Sequence, residues 1–251
     1  MKAVQIVKPN DLRIIEMEKP TIDEHNNVLV KMTAAGICGS DVGIYHGTNA
    51  ATTYPRVIGQ MVGVVVEVGP TAKKVKVGDR VIIDQVVPCG HCYACRKGRP
   101  NVCGNLQVRG VHIDGGYREY MAVPDTDCYL LPDFLSDRDA VMIEPTTIAV
   151  QCCSRAQLES EDTVLIIGSG ALGSSILRIV KQFHPQKIIV SDIDDAKLQE
   201  ALQNGATDVI NSLKEDVPAR CHELTDGYGV TVSIDAACVK TSLITALQAT
   251  G

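Results

Sequence analysis

The chain has 251 residues, 45% of them hydrophobic and 22% charged, with a net charge of −6. That length suits two domains with sizeable cores, and the acidic balance excludes nucleic acid as the main partner. No apolar run approaches the ~20 residues of a membrane span, and the opening MKAVQIVKPNDL lacks the apolar stretch of a secretory signal.

A cytoplasmic location is therefore expected. There, ten cysteines mean metal ligands and buried thiols rather than disulfides. Cys128, Cys152, Cys153, Cys221 and Cys238 are expected to be buried thiols.

The first half of the chain reads as short β-strands broken by Gly and Pro. VLVKMTAA, VGVVVEVG and DRVIID are the clearest runs, with the turn-like GPTAKKVKVGD between the last two. Inside this β-rich half lies PCGHCYACRKGRPNVC, in which Cys89, Cys92, Cys95 and Cys103 follow the pattern Cys-x2-Cys-x2-Cys-x7-Cys. Four thiolates so spaced can close a tetrahedron around one Zn²⁺ and leave no open position, which makes the site structural. A pair of disulfides and an iron–sulfur cluster are the other readings of the same spacing.

Residues 136–160, including SDRDAVMIEPTTIAVQCCSRA, have helical character, and Ser136 followed by Asp139 marks a helix start. From Glu161 strands and helices alternate. TVLIIG, KIIVSD, ATDVI and VTVSIDA are the strands. SGALGSSILRIVKQF, DDAKLQEALQNG, EDVPARCHELTD and VKTSLITALQAT are the helices. Such alternation predicts a parallel α/β sheet. No solenoid repeat or low-complexity tract interrupts it.

Gly168, Gly170 and Gly173 spell G-x-G-x-x-G between the first of these strands and its helix, with Ala171 and Leu172 filling the variable positions. In that setting the glycines give a tight turn and close backbone approach, and the helix N-terminus receives a pyrophosphate. Asp192 ends the next strand, where an acid binds the ribose hydroxyls, and Ile193 rather than Arg follows it. NAD is accordingly expected over NADP.

Together these features resemble the zinc-containing medium-chain alcohol dehydrogenases along the whole chain. GICGSD at 36–41, PRVIG at 55–59, the cysteine lobe, GVHIDGGYREY at 110–120 and MIEP at 142–145 carry the resemblance, and they are nearest to the bacterial polyol and sugar-acid branch. The resemblance implies an α/β plus β architecture. Residues 1–155 form a GroES-like catalytic domain with its zinc lobe at 88–104, and residues 156–251 a Rossmann NAD-binding domain. It implies hydride transfer from a secondary alcohol of a small polyol or sugar acid to NAD, with a second, substrate-facing zinc acting as a Lewis acid. By the same resemblance Cys38 and Glu144 are ligands of that zinc, or Glu144 holds its water. Ser40 receives the alcohol proton, and Asp41 orients a histidine ligand. Ser40 and Asp41 are also residues that begin helices.

Three departures qualify this expectation. After Pro-Arg-x-x the family reads Gly-His-Glu-x-x-Gly, whereas this chain reads Gly59-Gln60-Met61-Val62-Gly63. Removal of three bases from His-Glu codons, CAYGAR, leaves CAR, a Gln codon, so one in-frame deletion accounts for the change. It removes the imidazole ligand and the adjacent acid together, so weak binding of the catalytic zinc is expected. Gly43 stands where relatives often have His, and His46 is one helical turn further on. Finally, the sequence stops at Gly251 after the fourth strand–helix unit, short of the six strands of a Rossmann domain. The family is oligomeric, and the dimer edge is among the elements expected to be missing.

Overall fold

The structure, a computed structural model, describes residues 1–251. The chain forms two compact units, Met1–Met142 and Ile143–Gly251.

The first unit is built from β1 (Lys2–Lys8), β2 (Asp11–Glu16), β3 (Val28–Ala34), α1 (Gly39–His46), β4 (Arg56–Val57), β5 (Val62–Val68), β6 (Arg80–Ile83), β7 (Val86–Val87), α2 (Tyr93–Arg96), β8 (Gln107–Val108), β9 (Tyr120–Val123), β10 (Cys128–Leu130) and α3 (Asp137–Ala140). A five-stranded antiparallel sheet runs β10-β6-β5-β3-β9, and β2-β1-β4 forms a smaller one. The runs VLVKMTAA, VGVVVEVG and DRVIID are thus β3, β5 and β6. Their β-branched side chains Val28, Val30, Val65, Val81 and Ile83 make one buried cluster with Met61 and with Met121 and Val123 of β9. Burying each of these contributes roughly 1.5–3 kcal/mol before entropy is counted. Strands β7 and β8 pair antiparallel as a ribbon from which the cysteine lobe hangs.

The second unit contains α4 (Ile143–Ala156), β11 (Thr163–Ile167), α5 (Ala171–Val180), β12 (Lys187–Asp192), α6 (Asp195–Asn204), β13 (Asp208–Asn211), α7 (Val217–Leu224), β14 (Val232–Asp235) and α8 (Lys240–Ala249). All strand pairs are parallel, in the order β13-β12-β11-β14. Strand β11 is buried along its length because both faces of the sheet are covered. Val164 and Ile166 pack with Ile176, Leu177 and Val180 of α5 on one face. Leu165 and Ile167 pack with Val217 and Cys221 of α7 and Ala246 and Ala249 of α8 on the other.

Helix α3 begins where the sequence marks it: the Ser136 hydroxyl accepts the Asp139 N–H at 3.1 Å. Helix α8 is unusual in what it buries. Ser242, Ala246 and Ala249 face the sheet, while Leu243, Ile244 and Leu247 are exposed. Of the thiols expected to be buried, Cys128, Cys153 and Cys221 are, and Cys152 is partly covered. Cys238 is a correction. It is exposed, held in a left-handed turn (φ 54°) after β14 where Asp235 accepts its N–H at 3.0 Å.

Candidate functional site

The cysteine lobe brings its four ligands together. The Sγ atoms of Cys89, Cys92, Cys95 and Cys103 all lie within 4.8 Å of one another, with Cys92 and Cys95 3.5 Å apart. Backbone N–H groups point at these sulfurs. Cys92 N–H donates to Cys89 Sγ at 3.4 Å, Cys89 N–H to Cys103 Sγ at 3.4 Å and Asn105 N–H to Cys103 Sγ at 3.3 Å. Such donors favour thiolates, the form a metal requires. The N–H groups of Cys95 and Gly104 lower the Cys92 thiol to about 6, whereas burial pushes Cys95 up to about 12. No cysteine is in a disulfide. A closed set of four sulfurs fits a structural zinc.

In the second unit the glycine-rich loop joins β11 to α5. Gly168 adopts φ 93° and its N–H donates to the carbonyl of Ser191 on β12. Gly173 sits in the first turn of α5, where a Cβ would collide with the Gly168 carbonyl. Gly170 is the residue before the helix and Leu172 lies partly buried against the core. The first N–H groups of a helix have no carbonyl within it to bond, so this end is suited to an anion. Asp192 closes β12 and is 9% exposed. Its Oδ2 accepts the Ser169 N–H at 2.6 Å and its Oδ1 the Asp194 N–H at 3.0 Å.

A cavity of about 580 Å³ opens at these C-terminal strand ends, lined by Gly168, Gly170, Asp192, Lys197, Ser212 and Thr241 among others. This is where open α/β sheets bind ligands. Sequence reasoning missed Lys197, Ser212 and Thr241. Lys197 alone carried a signal, since it lies in the first turn of the helix that follows the acid.

The remaining candidates lie apart in sequence. Cys38 precedes α1, and its N–H donates to Asp41 Oδ2 at 2.8 Å. Asp41 is buried and also accepts the N–H of Gly59. Burial pushes its carboxyl up, against the pull of those two donors. Ser40 is exposed in the first turn of α1. Glu144 lies in the first turn of α4, in the second unit.

Gln60 is 7% exposed, and a Cβ on Gly36 would stand 2.8 Å from its Oε1. Tyr117, from the GGYREY motif, donates its hydroxyl to the Gly36 carbonyl at 2.9 Å. The segment 59–61 supplies an amide but no imidazole or carboxylate. An amide oxygen is a poor donor to a borderline-soft metal, and catalytic zinc takes three protein ligands plus water. These residues do not fit a second zinc.

Comparison with known proteins agrees with both halves of the chain. Residues 24–133 match the alcohol dehydrogenase GroES-like domain and residues 171–251 the zinc-binding dehydrogenase domain. The chain is 44% identical over 240 residues to the starvation-sensing protein RspB of Escherichia coli K12, covering 95% of this chain and 70% of that protein. It is 32% identical over 252 residues to sorbitol dehydrogenase of Bacillus subtilis 168, covering 98% and 71%. The crystal structure of RspB from Escherichia coli CFT073, complexed with the cofactor NADH, superposes with a TM-score of 0.92 at 43% identity, over 100% of this chain and 73% of that one. The chain belongs to the zinc-type medium-chain alcohol dehydrogenase family, whose members join a GroES-like domain to a Rossmann-like nucleotide domain.

Proposed function

We propose that the chain is, by descent, an NAD-dependent oxidoreductase of the polyol and sugar-acid branch. Its nominal reaction moves a hydride from a secondary alcohol carbon to the nicotinamide, leaving a ketone and releasing a proton. The observation that carries the cofactor reading is Asp192. It stands at the strand end beside the Gly168–Gly173 turn and bordering the cavity, where its charge would repel a 2′-phosphate.

In this reading the N–H groups opening α5 hold the pyrophosphate. Asp192 accepts the ribose hydroxyls, and Lys197 supplies a donor and a positive charge at the same rim. Gly168, Gly170 and Gly173 let the backbone approach, and Leu172 anchors the loop to the core. Cys89, Cys92, Cys95 and Cys103 hold the structural zinc. In relatives a second zinc polarises the substrate oxygen. Cys38 and Glu144 are the residues of this chain that correspond to its ligands. Ser40 corresponds to the hydroxyl that takes the alcohol proton, and Asp41 to the acid behind a ligand.

Gln60 favours a second reading, that of an NAD-binding relative without turnover. Titration of the chain with NADH and NADPH tests the cofactor assignment, and equal or tighter NADPH binding would sink it. NADH formation from a panel of polyols and sugar acids separates the two readings. Steady turnover establishes the enzyme, and binding without turnover the non-catalytic relative.

A further inference from the structure

We propose that this chain holds one zinc ion, in its cysteine lobe, and that Gln60, buried against Gly36, leaves the first unit without a second zinc site. The inference uses residues of the first unit and the family membership. It is independent of the cofactor reading.

The backbone around Gln60 is fixed on both sides. Before it, Gly115 N–H donates to the Val57 carbonyl at 2.7 Å, Tyr117 N–H to Ile58 at 2.9 Å and Gly116 N–H to Gly59 at 3.0 Å. After it, the Met61 carbonyl accepts the Ile83 N–H at 3.0 Å. The Met61 side chain is 1% exposed within the β5 core, and Val62 is in register with Ile82 and Ala34. One residue is left between two fixed points, and it is Gln60.

The space next to it is already taken. The Gln60 amide oxygen lies against the bare backbone of Gly36. The Tyr117 ring occupies the space where a Cβ on Gly59 would stand, and its hydroxyl donates to the Gly36 carbonyl. The Asp41 carboxylate accepts N–H groups from both Cys38 and Gly59. Asp41 and Tyr117 tie the loops 36–41 and 58–61 together through backbone groups, and Gln60 sets an amide where the family pattern has an imidazole. Cys38 is then the only soft donor in either loop, one short of even a two-ligand site from this unit.

The test is metal content. The full chain, its Cys38→Ser variant, its Cys95→Ser variant and a form with His-Glu in place of Gln60 are dialysed against zinc-free buffer, and zinc per chain is measured by elemental analysis. Roughly one zinc is expected in the unaltered chain and in Cys38→Ser, well under one in Cys95→Ser, and close to two in the His-Glu form. Two zinc ions in the unaltered chain, falling to one in Cys38→Ser, would overturn the proposal. So would a His-Glu form that stays at one, since the lack of a second site would then not be due to Gln60. Should either cysteine variant fail to fold, Co²⁺ loading of the unaltered chain decides the matter. A single tetrathiolate spectrum at saturation supports the proposal, and a second Co²⁺ with one thiolate overturns it. NADH titration of the same samples keeps the cofactor reading separate, because that site lies wholly in the second unit.

Discussion

Asp192 holds Ser169: its Oδ2 accepts the Ser169 N–H at 2.6 Å, tying the end of β12 to the glycine-rich turn after β11. The acid that would select the cofactor's ribose also fixes the loop that would hold its phosphates. Replacing it therefore removes two contributions at once. Asp192→Ala should weaken NADH binding by roughly 10- to 100-fold, the range for losing a charged hydrogen bond. It should also narrow the difference between NADH and NADPH. Fluorescence titration with both cofactors measures this, and an unchanged preference would remove Asp192 from the recognition of ribose.

Loss of one thiolate from the lobe should be costly to the first unit, because zinc binding and folding of such a lobe are coupled. Cys95→Ser is expected to lower Tm by roughly 5–10 °C, which corresponds to a few kcal/mol for a chain of this size. A strong chelator should produce a similar shift in the unaltered protein. Identical melting with and without chelator would contradict a structural role.

The metal-free lobe should show two thiols of opposite character. Cys92 is lowered to about 6 by the N–H groups of Cys95 and Gly104, and Cys95 is raised to about 12 by burial. Alkylation of Cys92 in the zinc-stripped protein should rise through pH 6 and level off by about pH 8, since the thiolate is the nucleophile. Cys95 should stay unlabelled across that range. The depressed Cys92 thiol stabilises the metal-free fold fully above the ordinary thiol value of 9.0, and this contribution is lost as pH falls toward 6. Peptide mapping by mass spectrometry reads both sites. Matching profiles for the two thiols would disprove the assignment.

Gly59→Ala should destabilise the first unit by about 2–4 kcal/mol. Gly59 has φ 100°, and an added Cβ would run into the Tyr117 ring. In a Tyr117→Ala background the collision is gone and only backbone strain remains, so the same change should cost about 1–3 kcal/mol. Urea unfolding of the four proteins gives the coupling. Equal costs in both backgrounds would show that the ring does not press on the glycine.

Both principal motifs were legible because each is local. The cysteine spacing and the G-x-G-x-x-G turn place their groups within one short segment, and the chain needs no distant partner to bring them together. The alternation after Glu161 was readable for a similar reason, since β11 is apolar after Thr163 and the helices that follow it have apolar faces. What escaped was set by long-range pairing. Nothing in the sequence places Tyr117 on Gly59, because that contact depends on the register between residues 57–59 and 115–117. Ser212 and Thr241 reach the cavity only through the order of the parallel strands. Cys238 looked like a core thiol by type, but the turn capped by Asp235 leaves it outside.

The position of Gln60 bears on how such a chain could arise. Change in length is best tolerated where a ladder ends, and Gln60 lies between the last bond of one ladder, from Gly116 to Gly59, and the first of the next, from Ile83 to Met61. A codon lost there shifts neither register, so Met61 still reaches the core and β5 still meets β3 and β6. A change of length at this point is thus compatible with an intact core in the first unit, so loss of a metal ligand and loss of the fold are separable here.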